Sequence, residues 1–291
     1  MTDIIMCPLS YGADKAGLEH GPTQLMGRYP ELASRIRFIS VARKPENFSS
    51  ANLKFVNTIA STCTIVAETI SYSIGEGHIP ILLGGDHALA MGSIKGALDH
   101  YDDIGVLWVD AHADMNTHET THSGNIHGMP LAAVMGYGHP KLTGLHNDLR
   151  VDPSKVVLFG SRDVEEGEAD LIAAAGVNEL SYDYVEKKGF IPALEEAIEY
   201  LSARVKHLHL SIDLDSINPD YIMGVSTPVT GGFKVASIIE LIKKVLDKFE
   251  VTSVDIVEYN PLHDRGEVTL DTMVMLVSVI EGMLQDKYGA S

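Results

Sequence analysis

Trp108-Val109-Asp110-Ala111-His112-Ala113-Asp114-Met115-Asn116 closes the continuously apolar run Gly105–Val109. A run that is apolar at every position fits a strand buried on both faces, and such strands belong to parallel sheets covered by helices. Within the stretch, Asp110, His112 and Asp114 stand at every second position. In an extended strand, residues two apart share a face, so three metal-type ligands are expected to converge on one point.

Similar runs recur along the chain. Ile4–Met6, Ile79–Leu83, Val156–Phe159, His207–Ile212 and Thr252–Ile256 read as further strands. Between them Val56–Ser73, His87–His100, Gly167–Ala174, Ile191–Lys206, Val235–Lys248 and Leu270–Leu284 carry helical periodicity or composition. This alternation predicts an α/β fold: a doubly wound, mostly parallel sheet with helices on both faces. There is no internal repeat, low-complexity segment or long Pro/Gly linker, so residues 1–291 read as one domain. Gly84-Gly85 and Gly231-Gly232 lack the glycine spacings that cradle nucleotide phosphates.

The composition, 45% hydrophobic and 21% charged, is that of a soluble globular protein. A formal net charge of −18 argues against a nucleic-acid partner and suits a cationic ligand, although solubility alone also accounts for it. The start, Met1 to Pro8, has no basic region, so no signal peptide is expected. No apolar stretch nears the ~18 residues of a membrane span, so no membrane partner is expected either. Cys7 and Cys63 stand far apart, which predicts no disulfide framework and a reducing, cytoplasmic setting.

Three expected strand ends carry unusual chemistry: Gly84-Gly85-Asp86-His87, Asp110 to Asp114, and Asp213-Leu214-Asp215. Open parallel sheets bind ligands beyond the carboxyl ends of their strands, so the three segments can meet. His87, Asp110, His112, Asp114, Asp213 and Asp215 supply two imidazoles and four carboxylates. That set exceeds one tetrahedral zinc and suits two five- or six-coordinate divalent ions. Four carboxylates offset two dications, and a bridging hydroxide then leaves one negative charge to meet a singly positive substrate group. Oxygen-rich ligation without thiolate favours Mn²⁺, with Fe²⁺, Co²⁺ or Ni²⁺ as alternatives.

These segments resemble the three metal signatures of the ureohydrolase family, which includes arginase, agmatinase and formiminoglutamase. The likeness runs from Pro8-Leu9-Ser10 and Gly21-Pro22-Thr23 to Asp255-Ile256-Val257-Glu258-Tyr259-Asn260-Pro261. Ser123-Gly124-Asn125-Ile126-His127-Gly128-Met129-Pro130 is similar to the arginase branch in particular. The resemblance implies hydrolysis of L-arginine to L-ornithine and urea by a hydroxide bridging two Mn²⁺ ions. Asp110 and Asp213 would bridge the ions, with His87 and Asp114 on one and His112 and Asp215 on the other. Asp114 would also orient the hydroxide.

The resemblance assigns further roles. Asn116, Thr121 and Ser123 would hold the substrate α-carboxylate, and Asn125 would reach it through water. Neutral donors suit that task, since a cation there would repel a guanidinium. Glu165 and Glu168 would hold the α-ammonium, Glu258 would pair with the guanidinium, and Thr227 would line the same pocket. A proton shuttle calls for a histidine, and chemistry alone does not choose between His122 and His127; the resemblance chooses His127. The chain departs from the family at Glu165, where arginases carry the shorter aspartate, and at Asn218. After Gly232 it lacks the Arg-Glu pair of many trimer contacts, although a homo-oligomer, trimer or hexamer, is still implied. Agmatine or guanidinobutyrate are the other substrates to weigh, and a metal-binding member without turnover is the remaining alternative.

Overall fold

In the computed structural model, residues 1–46 and 52–289 are described. Eight strands form one sheet: β1 (Thr2–Cys7), β2 (Arg37–Phe38), β3 (Ile79–Gly84), β4 (Ile104–Val109), β5 (Val156–Phe159), β6 (Asn178–Leu180), β7 (His207–Asp213) and β8 (Glu250–Val257). Their order is β2-β1-β3-β8-β7-β4-β5-β6. Every neighbouring pair is parallel, so the sheet is parallel throughout.

All six residues of β4 are buried, as its unbroken apolar run required. Leu107 and Val109 join a core on one face with Leu210, Ile212 and Val254, covered by helices Phe190–Ser202, Val235–Lys248 and Val268–Tyr288. Val106 and Trp108 join the core on the other face, under helices Val56–Gly75, Ala90–Leu98 and Pro130–Val134. In Val235–Lys248 the buried residues are Ile238, Leu241, Ile242, Val245 and Leu246, a single stripe at helical spacing. Each such side chain contributes about 1.5–3 kcal/mol on burial, which outweighs the weak intrinsic preference of isolated helices.

The apolar rule breaks at the middle of the sheet. His209 and Ser211 of β7 lie beside Ser253 and Asp255 of β8, on the face under helix Ala90–Leu98. The imidazole of His209 lies 2.8 Å from Ser253 Oγ and 3.1 Å from Asp255 Oδ2, and Ser93 Oγ donates to the same carboxylate at 2.6 Å. Buried polar groups need partners; His209, Ser253 and Ser93 find them here, while Asp255 Oδ1 has none among the described residues.

The structure departs from the sequence expectation in several elements. The helix expected over His87–His100 begins as a 3-10 turn, His87–Leu89, because the Asp86 carboxylate accepts from Ala88 N and caps it; the α-helix follows at Ala90–Leu98. Strands β2 and β6 are additional edge strands of two and three residues, too short for a hydrophobic pattern. Helix Val268–Tyr288 is long and apolar enough to span a bilayer by length and composition, contrary to expectation. Leu270, Met273, Leu276, Val277, Ile280 and Leu284 form its buried stripe against the first core. Cys7 and Cys63 are free and buried.

Candidate metal centre

The four central strands, β3, β8, β7 and β4, are neighbours, and each delivers a functional segment past its carboxyl end. β3 runs into Gly84-Gly85-Asp86-His87, β4 into Asp110, β7 into Asp213 and β8 into Glu258. The β3 turn is pressed against the loop after β1, where a Cβ on Gly85 would lie 1.7 Å from Leu9 O. Only glycine fits that approach.

Three carboxylate oxygens converge on one ring nitrogen. His87 Nδ1 lies 3.0 Å from Asp110 Oδ2, 3.2 Å from Asp114 Oδ2 and 3.2 Å from Asp213 Oδ2. A second group forms beside it, with His112 Nδ1 3.1 Å from Asp215 Oδ2 and 3.5 Å from Asp110 Oδ1. Asp110 thus gives one oxygen to each cluster, and each trio, His87-Asp110-Asp213 and Asp110-His112-Asp215, is compact enough to hold a metal ion.

The donors fit divalent ions. His87 Nδ1 is fully buried and has no hydrogen-bond partner among the described residues, although three acids face it. A buried, orphaned imidazole nitrogen facing three carboxylates is a ligand arrangement rather than a hydrogen-bond network. The far side of the same ring is fixed, since Nε2 lies 2.8 Å from Ser211 Oγ and the ring stacks on Trp108 at 4.0 Å and 9°. Trp108 Nε1 also donates to Asp110 Oδ2 at 2.9 Å, so one indole orients a ring and the shared acid together.

Electrostatics point the same way. Burial opposes charge on both histidines, yet the acids outweigh it and raise His87 and His112 well above the usual histidine range. Burial, with Asp215 and Asp110 alongside, pushes Asp213 far up, and burial with Asp110 pushes Asp114 up to about 6. Only Asp110, against which His112 and His87 outweigh burial, is held well below the carboxylate range. Acids this close require positive charge between them.

Beside the clusters lies a pocket of about 120 Å³. Its walls are His112, Asp114, Asn116, Thr121, Ser123, Asn125, His127, Glu165, Glu168 and Thr227, all singled out in the sequence, together with Gly128 and Asp163. Larger hollows of about 520 Å³ exist, one of them around Met1, Arg35 and Glu281, but the ligand trios lie outside them. His87, Asp110, Asp213, Asp215 and Glu258 stand behind the wall, buried. Glu258, 1% exposed, accepts from His87 N at 3.0 Å, and the same Oε1 lies 3.2 Å from His127 Nδ1; its Oε2 is buried with no partner among the described residues. Burial opposes charging His127, but Glu258 wins and raises it.

Several details differ from the strand-based reading. β4 ends at Val109, so Asp110 to Asp114 leave the sheet rather than extend it, and Asp114 adopts a left-handed backbone at φ 51°. That turn sends Asp114 to the His87 side and leaves His112 on the Asp215 side. Glu258 is left-handed as well, at φ 67°. The acid of Glu168 is engaged by backbone, accepting from Met115 N and Glu165 N at 2.9 Å each. The Asn125 amide is held by Ala13 O and Lys54 Nζ, both at 3.1 Å. Thr227 Oγ1 donates to Asp215 Oδ2 at 3.3 Å. The sequence reading passed over Trp108, Ser211, Lys54 and Asp163; Trp108, the chain's single tryptophan, set directly before Asp110, was the available signal.

Known proteins share this architecture. The model of the arginase family matches residues 2–282. The arginase of Brevibacillus brevis is 34% identical, covering 96% of this chain and 97% of its own, as is that of Bacillus subtilis over the same shares. The solved arginase of Bacillus caldovelox superposes with a TM-score of 0.87 at 34% identity, over 97% of this chain and 98% of that one. The Entamoeba histolytica arginase, solved with L-ornithine, reaches 0.86 at 29% identity over the same shares. A formimidoylglutamase of Bacillus subtilis, at 17% identity and a TM-score of 0.77, shares the fold alone. Matched from end to end in sequence and in three dimensions, this chain belongs to the arginase family.

Proposed function

We propose that the protein hydrolyses L-arginine to L-ornithine and urea, using two Mn²⁺ ions. The observation that carries this reading is the pair of trios sharing Asp110 at the wall of a pocket lined by Thr121, Ser123, Asn116 and Glu165. His87, Asp110, His112, Asp114, Asp213 and Asp215 would hold the ions, with Asp110 offering one oxygen to each trio. Such ions, when bound, supply a nucleophilic water at neutral pH by lowering its pKa.

The chain's own residues do the rest. Glu258 holds a buried, unpartnered oxygen, which suits a guanidinium that brings its own N–H donors and positive charge. His127 stands between that acid and the pocket, so it carries a proton to the departing amine and exchanges it with solvent. Thr121 and Ser123 offer hydroxyls to a carboxylate, and Glu165 offers an acid to an ammonium. A head group with both charges is what separates L-arginine from agmatine, which would leave Thr121 and Ser123 with nothing to bind. We further propose one domain over residues 1–291, a homo-oligomeric assembly and a cytoplasmic setting; the two free thiols support the last.

The test is urea release by Mn²⁺-loaded protein on L-arginine and agmatine side by side, with a chelated control. Turnover of L-arginine alone is expected, and His127→Ala should lower kcat about 10²–10⁴-fold while circular dichroism stays unchanged. Turnover of agmatine alone would refute the head-group assignment, and full activity of His127→Ala would refute the shuttle.

A further inference from the structure

Glu165 stands where family resemblance expects an aspartate, and the extra methylene has a visible use. Its Oε2 lies 3.0 Å from Nδ1 of His122 and accepts from Asn116 Nδ2 at 3.3 Å. The ion-pair contact of His122 and the amide hydrogen bond of Asn116 fall on the same oxygen. The His122 side chain is 81% exposed and belongs to the same loop as Thr121 and Ser123, so the contact reaches across the pocket mouth to the start of helix Glu166–Ala175.

We infer that His122 is a positioning residue for the amino-acid end of the substrate. By anchoring Oε2 together with Asn116, it holds the longer acid in one rotamer and presents Oε1 to the α-ammonium. This rests on the L-arginine reading above. A glutamate has one more rotatable bond than aspartate, so unanchored it loses more freedom on binding. Ordering a side chain of that kind in advance strengthens binding without any new contact to the ligand. Each carboxylate oxygen has two lone pairs, so a side chain anchored at Oε2 and capping the helix through Glu168 N still has capacity to accept from an ammonium. The role also accounts for the second histidine of the segment, which the proton shuttle leaves unused.

The experiment compares wild type, His122→Ala and His122→Asn, all loaded with Mn²⁺. Two measurements are made: L-arginine kinetics, and calorimetric binding of L-ornithine and of 5-aminopentanoate, which lacks the α-ammonium. His122→Ala should raise KM for L-arginine about two- to tenfold with kcat unchanged, and should weaken L-ornithine by the same factor. Binding of 5-aminopentanoate should stay constant, and the amide of His122→Asn should restore part of the loss. An unchanged or lowered KM and L-ornithine constant would overturn the inference, the lowered values meaning that the ring competes with the ammonium. Equal weakening of both ligands would overturn it too, by showing a general loop effect. If wild type binds L-ornithine but releases no urea, the proposed function fails, and the calorimetric comparison still decides the role of His122.

Discussion

Stripping the protein of metal and reloading it with Mn²⁺ should change both its stability and how that stability depends on pH. Without ions, burial is outweighed by the neighbouring acids, which favour the protonated form of His87 and His112, while burial pushes Asp213 far up. Ligation requires neutral imidazole and ionised carboxylate, so loading displaces roughly two to three protons. For the histidines, the folded value lies above the unfolded one. Their stabilisation is therefore full below the unfolded value near ~6.5 and is lost as pH rises through the folded value. Asp114, up at about 6, and Asp213 likewise leave the folded chain holding more protons than the unfolded chain. Stripped protein should lose stability with rising pH. Loaded protein should instead gain stability up to about pH 7 and then level off, because its ligands hold no protons while the unfolded histidines still do.

The size follows from mass action. An ion at a hundred times its dissociation constant adds about 2.7 kcal/mol, so two add about 5 kcal/mol. In a chain of this length that raises Tm by roughly 10–20 °C. Differential scanning calorimetry with and without Mn²⁺ at about pH 6 and pH 8 reads the gap, which should widen at the higher pH. Titration in two buffers of different ionisation enthalpy counts the protons. A gap that stays constant with pH, or loading without proton release, would refute the reading of these six residues as ligands.

Two further outcomes test the surroundings. Burial pushes the carboxyl of Glu168 up to about 7, so the folded chain loses up to about 3 kcal/mol as pH climbs from near 4.5 through that value. Urea denaturation of chelated Glu168→Gln should show a shallower fall over this range than wild type, and equal slopes would contradict it. Gly85→Ala places a methyl 1.7 Å from Leu9 O, so the loop after β1 must move. A loss of about 3 kcal/mol or more is expected in thermal melts, with metal content falling as His87 shifts, and near-wild-type behaviour would show that the turn is pliable.

The sequence made the sheet legible because six strands are marked by short apolar or alternating runs separated by helical stretches, a pattern that a covered parallel sheet accounts for. Arg37–Phe38 and Asn178–Leu180 pair only at the sheet edges, through backbone atoms that carry no side-chain signature. Pro130–Val134 is buried on all sides, so it has no polar face to mark a period. Site chemistry was legible where residue type alone restricts the role: His87, His112 and the four acids do converge. What escaped was orientation. The shared role of Asp110 came from family resemblance, and no rule of spacing tells that Glu168 is spent on two backbone amides or that Glu165 reaches His122, because those facts depend on loop backbone outside any regular element.

The left-handed backbone of Asp114 and Glu258 has a consequence for anyone engineering this enzyme. A non-glycine residue held at positive φ costs on the order of 1–3 kcal/mol, tolerated where function over-determines the position. Exchange to glycine at either place would relax the chain while deleting an acid from the candidate metal centre. A library ranked by the melting temperature of metal-free protein would therefore promote variants that have lost acids of the proposed site. Thermostability has to be sought elsewhere on this scaffold, with these two positions withheld from selection.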